Sequence, residues 1–243
     1  MTSLLNSFVF PRVDVTYDKN TTYVQFLPRD DGYQIPIRHY VKDKQLPTLL
    51  VSHGNRSDIG DSPTIGNSPT KLAERLNCNV LVWDFAGYGL HTKKTPSEKD
   101  IEKDILVVYN YLQNKKINNI YIYGYSLGTY PSCYLAYHLC SNNIDTKLIL
   151  VSAFKSVMSV IFNASLPGDY LKNDVLAQHI TCPVLMIHGC QDTFIYYNHA
   201  LQLSKLFNDC TFISVHGCSH HTINKHSTHD YAIKQFLKND ISL

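Results

Sequence analysis

Gly124-Tyr125-Ser126-Leu127-Gly128 constrains this chain more than any other stretch of it. The pentapeptide follows Asn119-Ile120-Tyr121-Ile122-Tyr123, a β-branched and aromatic run, and leads into a helix-compatible segment beginning at Thr129. A Gly-x-Ser-x-Gly between a strand and a helix marks a nucleophile elbow. The turn is tight enough to hold the serine in a strained backbone conformation, and the flanking glycines let strand and helix approach. The competing reading is a glycine-rich turn with an idle serine, and the patterns on both sides weigh against it.

Those patterns recur along the chain. Thr22–Leu27 and Tyr33–Val41, joined by Asp30-Asp31-Gly32, read as an antiparallel hairpin. Thr48–Ser52, Asn79–Trp83, Lys147–Ser152, Pro183–His188 and Thr211–Val215 read as buried strands. Helical patterns fill the intervals, at Pro69–Leu76, about Ser97–Asn114, about Gly128–Cys140, near Asn198–Phe207 and near Thr228–Lys238. Thr95-Pro96-Ser97-Glu98 reads as a capping box with Pro at the first helical position, and Ile101, Ile105, Val108 and Leu112 share one helix face. Apolar strands alternating with helices predict an α/β fold: a mostly parallel sheet covered on both faces, with an antiparallel N-terminal hairpin. In such sheets the site forms at the carboxyl ends of the strands.

At 243 residues the chain suits one domain, 1–243, with a 1–20 N-terminal extension and a short lid-like insertion at 153–182. A formal charge of +2 is too balanced to draw a nucleic acid or an anionic membrane electrostatically. No run reaches the length of a membrane span, and the N-terminus lacks a secretory core and a myristoylation glycine. Seven cysteines, odd in number and without a Cys-x-x-Cys pair, fit free thiols in a reducing compartment. These features predict a soluble, cytoplasmic protein. Leu4, Leu5, Phe8, Val9 and Phe10 offer either a peripheral membrane contact or packing on the flank of the domain.

A serine hydroxyl is a weak nucleophile at neutral pH and needs a base, itself oriented by a third group. The strand Pro183–His188 is followed by Gly189-Cys190-Gln191-Asp192, and Thr211–Val215 by His216-Gly217-Cys218-Ser219-His220. Ser126, Asp192 and His220 are therefore the candidate catalytic set, with His221 the nearest rival as base. His216 and His220 stand four apart, but no His-Glu-x-x-His pattern occurs and no metal or other cofactor is expected. For the oxyanion of a tetrahedral intermediate, the backbone N–H groups of Leu127 and Asn55 are the candidate donors. Asp84-Phe85-Ala86-Gly87-Tyr88-Gly89 reads as a tight turn lining the site, with no chemistry of its own.

Ser-His-Gly-Asn at 52–55 with Asp58 and Gly60, Gly-Tyr-Gly at 87–89, Pro-Ser-Glu at 96–98 and Gly-Tyr-Ser-Leu-Gly-Thr-Tyr-Pro at 124–131 together resemble the Bem46-type α/β hydrolases. Pro-Val-Leu-Met-Ile-His-Gly-x-x-Asp at 183–192 and Gly-x-x-His at 217–220 extend the likeness from about Phe10 to the C-terminus. It is nearest to the α/β-hydrolase-domain 17 subfamily, acyl-protein thioesterases that depalmitoylate membrane-associated proteins. The resemblance implies the α/β-hydrolase fold and serine-hydrolase chemistry, with Ser126, Asp192 and His220 matching the family's triad. One departure stands out: the subfamily carries an acylated N-terminal cysteine cluster, and here no cysteine precedes Cys78.

The expected substrate is an acyl ester or thioester, with a lipidated protein as the thioester the resemblance implies. Phe154 and Met158, in the apolar stretch Ala153–Phe162, are candidates to line an acyl groove or, equally, a core-facing stripe. Two alternatives stay open: a small-ester carboxylesterase or monoacylglycerol lipase, and a non-catalytic binding protein on the same fold.

Overall fold

The computed structural model describes residues 9–11, 14–21, 23–60, 68–162, 164 and 166–238. Eight strands form one sheet in the order β1-β2-β4-β3-β5-β6-β7-β8. They are β1 (Val24–Pro28), β2 (Gln34–Tyr40), β3 (Thr48–Ser52), β4 (Asn79–Trp83), β5 (Ile120–Tyr125), β6 (Leu148–Val151), β7 (Val184–Gly189) and β8 (Cys210–Val215). The hairpin β1–β2 is antiparallel and joins the rest through an antiparallel β2–β4 pair; every other pairing is parallel. This is the expected mostly parallel sheet with an N-terminal hairpin. The apolar strands β3 and β4 are buried along their whole length, as strands covered on both faces must be.

Alternate residues of each central strand feed two cores. Leu50, Leu81, Trp83, Ile122, Leu148, Leu150, Val184 and Met186 point to one side, where they meet α2 (Glu98–Asn114) and α3 (Thr129–Ser141). Leu49, Val51, Val80, Val82, Tyr123, Ile149, Leu185 and Ile187 point to the other, where α1 (Pro69–Leu76) and α7 (Ser227–Leu237) close the layer. The period of two in the strands thus sorts one apolar run into two layers. Ile101, Ile105, Val108 and Leu112 are the buried stripe of α2, as their spacing predicts. Truncating any one of these large side chains costs about 2–5 kcal/mol.

The cap of α2 departs from expectation. Ser97, not Thr95, is the N-cap, and its hydroxyl accepts from the Asp100 amide at 3.2 Å. Two contacts explain the shift. Pro96 lies against Gly87, where a Cβ would come within 3.0 Å of its ring, so the proline stays in the loop. Glu98 turns away and accepts from the Leu171 amide at 2.9 Å, tying the helix start to the segment between β6 and β7.

That segment carries two short helices, α4 (Val157–Phe162) and α5 (Asn173–Ala177). Asn173 pins it to the body by donating to the Phe154 carbonyl at 2.9 Å and to Thr129 Oγ1 at 3.2 Å. α6 (Tyr197–Ser204) follows β7. Of the N-terminal apolar residues, Leu4, Leu5 and Phe8 lie outside the described residues. Val9 and Phe10 are buried in the main core, with Phe10 edge-on to Tyr88 at 6.5 Å. For these two the structure selects packing on the domain. No helix among the described residues is long and apolar enough to cross a membrane.

Candidate active site

Three strand ends converge on Ser126. β5 runs straight into a 3-10 turn, Ser126–Gly128, and then α3. Ser126 has φ +51°, in the left-handed region that a serine occupies only under constraint. The two glycines make that turn possible. A Cβ on Gly124 would sit 2.6 Å from the Gly128 carbonyl oxygen, and one on Gly128 would sit 2.2 Å from the Ser52 carbonyl oxygen. The elbow is therefore clamped against both α3 and the end of β3, and Thr129 Oγ1 donates to the Ser126 carbonyl at 2.6 Å to hold it.

His220 reaches this serine from the loop after β8. Its Nε2 lies 3.0 Å from Ser126 Oγ, and its Nδ1 lies 2.7 Å from Asp192 Oδ2. An ionised carboxylate only accepts, so Nδ1–H donates to Asp192 and Nε2 is left to accept the serine hydroxyl. Asp192 is oriented in turn, because its Oδ1 accepts from the Phe194 and Ile195 amides, both at 2.9 Å. Burial alone would raise the Asp192 pKa; the hydrogen bond and charge of His220, with the Ile195 amide, outweigh it and hold the carboxyl below its ordinary value. His188 Nε2 lies 3.5 Å from the same oxygen, Asp192 Oδ2, and donates to the Ile195 carbonyl at 2.9 Å. Burial lowers its pKa. The neighbouring His221 is exposed and is not the ring that meets Ser126.

The loops carrying Asp192 and His220 are stitched together. Cys190 and Gln191 donate backbone N–H groups to the Val215 and Cys218 carbonyls at 3.0 and 2.9 Å. Gly189 allows the approach, since a Cβ there would lie 2.4 Å from the Cys218 carbonyl oxygen. Tyr125, next to the serine, donates its hydroxyl to the His220 carbonyl at 2.6 Å. Sequence reasoning did not single out Tyr125 or Phe194, which stacks on His220 with ring centroids 5.5 Å apart. Neither contact has a local signature, because each joins residues far apart in the chain.

The two candidate oxyanion donors lie on the turns that follow β5 and β3. Leu127 follows the serine, and Asn55 sits in the turn after β3, whose Ser52 pairs in register with Gly124 of β5. Asn55 is braced: its Nδ2 donates to the Val9 carbonyl at 2.8 Å and its Oδ1 accepts from Tyr88 at 2.7 Å. Gly54 brings this loop against the site, since a Cβ there would stand 3.5 Å from Ser126 Cβ and 2.7 Å from the Tyr125 ring. Behind it, buried His53 donates from Nδ1 to the Gly54 carbonyl at 2.8 Å, and its Nε2 lies 3.1 Å from Asp84 Oδ1. Asp84 is more than a turn residue. It also accepts from the Ile59 amide at 2.9 Å and from the Tyr17 hydroxyl.

The candidate groove residues separate. Phe154 is 3% exposed within the main core, whereas Met158 is half-buried on α4, its amide donating to Asp169 at 2.9 Å. No group of three or more metal-ligating side chains is clustered for a metal among the described residues. A cleft of about 640 Å³, lined in part by His39, Tyr111, Lys115 and Asn79, lies at the amino ends of the strands and contains none of Ser126, Asp192 and His220.

A sheet of this order, with a strained serine on the turn after its fifth strand, defines an α/β hydrolase. Solved structures agree on the fold. Est1E from Butyrivibrio proteoclasticus, in a structure with bound ferulic acid, superposes with a TM-score of 0.70 at 20% identity, over 90% of this chain and 100% of that one. Alpha/beta hydrolase domain-containing protein 10 from mouse superposes at 0.63 with 15% identity, over 89% and 97%. The family Serine hydrolase (FSH1) matches residues 68–231, and the chain belongs to this family of hydrolases. Among its relatives, alpha/beta hydrolase domain-containing protein 17B of Homo sapiens is 34% identical over 206 residues, covering 80% of this chain and 67% of its own length. Protein 17C of Mus musculus is 32% identical over 206 residues, again 80% of this chain but 60% of that protein. The chain thus spans about two thirds or less of the length of these relatives.

Proposed function

We propose that the protein hydrolyses an acyl ester or thioester through Ser126, His220 and Asp192, by way of an acyl-enzyme. One observation carries this reading: a continuous relay of 2.7 and 3.0 Å contacts from carboxylate to imidazole to a serine held at φ +51°. His220 Nε2 takes the hydroxyl proton as Ser126 Oγ bonds to the acyl carbon. Leu127 and Asn55 donate backbone N–H groups to the oxyanion. As the intermediate collapses, the bond from the acyl carbon to the leaving sulfur or oxygen breaks, and Nε2 returns its proton to that atom. Water then repeats the sequence, with its proton passing through His220, to release the acid and restore Ser126.

Within this class we assign a thioester of a lipidated protein as the substrate, the reading that the likeness to the α/β-hydrolase-domain 17 proteins favours. The 153–182 segment, the lid-like part of a single domain, forms the acyl side of the site, with half-buried Met158 lining it and Phe154 supporting it from the core. Fluorophosphonate labelling tests the chemistry. The wild-type protein takes up the probe, folded Ser126→Ala does not, and turnover falls by about 10⁴–10⁶. A folded wild-type protein that resists the probe overturns the reading. Where labelling succeeds, octanoyl and palmitoyl thioesters beside the matching oxyesters separate a thioesterase from a small-ester carboxylesterase.

A further inference from the structure

Phe194 stands apart from the other large apolar side chains around His220. It is 68% exposed, yet it is rigidly placed. Its amide is one of the two that hold Asp192 Oδ1, and its ring stacks on His220 at 5.5 Å with an interplanar angle of 28°. The exposed His221 ring meets Phe194 edge-on, with centroids 5.6 Å apart and planes at 69°. Tyr125 also touches His220, at 5.3 Å, but it is buried at the end of β5. Phe194 and His221 therefore form a solvent-facing aromatic shelf beside the imidazole.

The chemistry says which part of a substrate meets that shelf. His220 Nε2 must return its proton to the leaving atom, so that atom comes within hydrogen-bond distance, about 3 Å, of Nε2. The acyl oxygen points the other way, toward the Leu127 amide and the 53–55 loop. Whatever is attached to the leaving atom extends over the surface next to the imidazole. We infer that Phe194, with His221, forms the subsite for an apolar or aromatic leaving group and so selects the carrier rather than the acyl chain. This rests on the acyl-transfer reading of the site.

A matched pair of substrates tests it: octanoyl thioesters of benzyl mercaptan and of 2-hydroxyethanethiol, two thiols of similar acidity. Both give the same octanoyl-Ser126, so the second step is common and the effect of the carrier is read in kcat/KM, which reports binding and acylation. Phe194→Ala should lower kcat/KM for the benzyl thioester about tenfold and for the hydroxyethyl thioester about twofold. Phe194→Tyr, which keeps the ring, should restore the preference. Equal losses on both carriers, with fluorophosphonate labelling intact, would overturn the carrier role and leave the triad reading standing. A wild-type protein that cleaves neither thioester and takes up no probe would overturn both.

Discussion

Two of the buried histidine–aspartate pairs toward the carboxyl end of the sheet stand in contrast: His220–Asp192 faces Ser126 and His53–Asp84 does not. His220 gives Nδ1 to Asp192 and keeps Nε2 for Ser126. His53 gives Nδ1 to the Gly54 carbonyl and turns Nε2 toward Asp84, 3.1 Å away, rather than toward a serine. The carboxylates differ too. Asp192 sits below its ordinary pKa, whereas burial raises Asp84 despite the bonds from His53 and Tyr17. Phe85 stacks on the His53 ring at 4.5 Å, which makes this pair part of the packing behind the 53–55 loop. Residue type is shared; what separates the relay from the brace is a serine hydroxyl within reach of one ring nitrogen.

Substitution should split the two pairs most widely. His220→Ala removes the proposed base and is expected to cut turnover by about 10⁴–10⁶, and because it also strips buried Asp192 of its partner its melting temperature falls too. His53→Ala opens a space in a fully buried site and strips Asp84 of a partner, costing about 2–4 kcal/mol, or about 5–15 °C in Tm. Its activity should fall less than that of His220→Ala. Equal losses of activity from the two variants, assayed beside thermal melts, would break the comparison.

The second test is the sign of a pH dependence. Asp192 has a lowered folded pKa, so its contribution to stability is present above the unfolded value of about 4 and is lost as pH falls through the folded value. Asp84 has a raised folded pKa, so its contribution is complete below about 4 and fades as pH rises through the folded value. The Tm of wild type relative to Asp192→Asn should therefore climb as pH rises from acid, while that relative to Asp84→Asn should decline. Parallel profiles across that range would erase the distinction between the carboxylates.

The smallest effect belongs to the tie between the elbow and the histidine loop. Tyr125→Phe deletes the 2.6 Å bond to the His220 carbonyl and should cost about 1 kcal/mol, a few degrees in Tm. A drop in kcat/KM of less than about tenfold, with KM little changed, would mark Tyr125 as a positioning residue. An unchanged kcat would confine it to stability.

Much of the scaffold was readable locally. Thr48–Ser52 and Asn79–Trp83 are strands over the residues expected of them, because each is an apolar run stopped by a turn sequence. The elbow was readable because its glycines and serine are contiguous. The α2 cap was misplaced because Pro96 answers to Gly87, a contact outside its own helix. Phe154 and Met158 share an apolar stretch, and spacing alone could not say which one enters the core. The brace at Asp84 was missed for the same kind of reason: Tyr17 and His53 reach it from separate segments, and one of those bonds spans 67 residues.

The relay is itself assembled from afar. Its serine and histidine stand 94 residues apart and its histidine and aspartate 28, on loops after β5, β8 and β7. β8 is one edge strand of the sheet and the last strand in sequence among the described residues, so His220, the proposed base, is in place only when that edge has docked on β7. Non-local pairings of this kind are slow to form. Recovery of activity during refolding should then follow the latest step of chain assembly, which makes the enzyme's own turnover a readout of its completed fold.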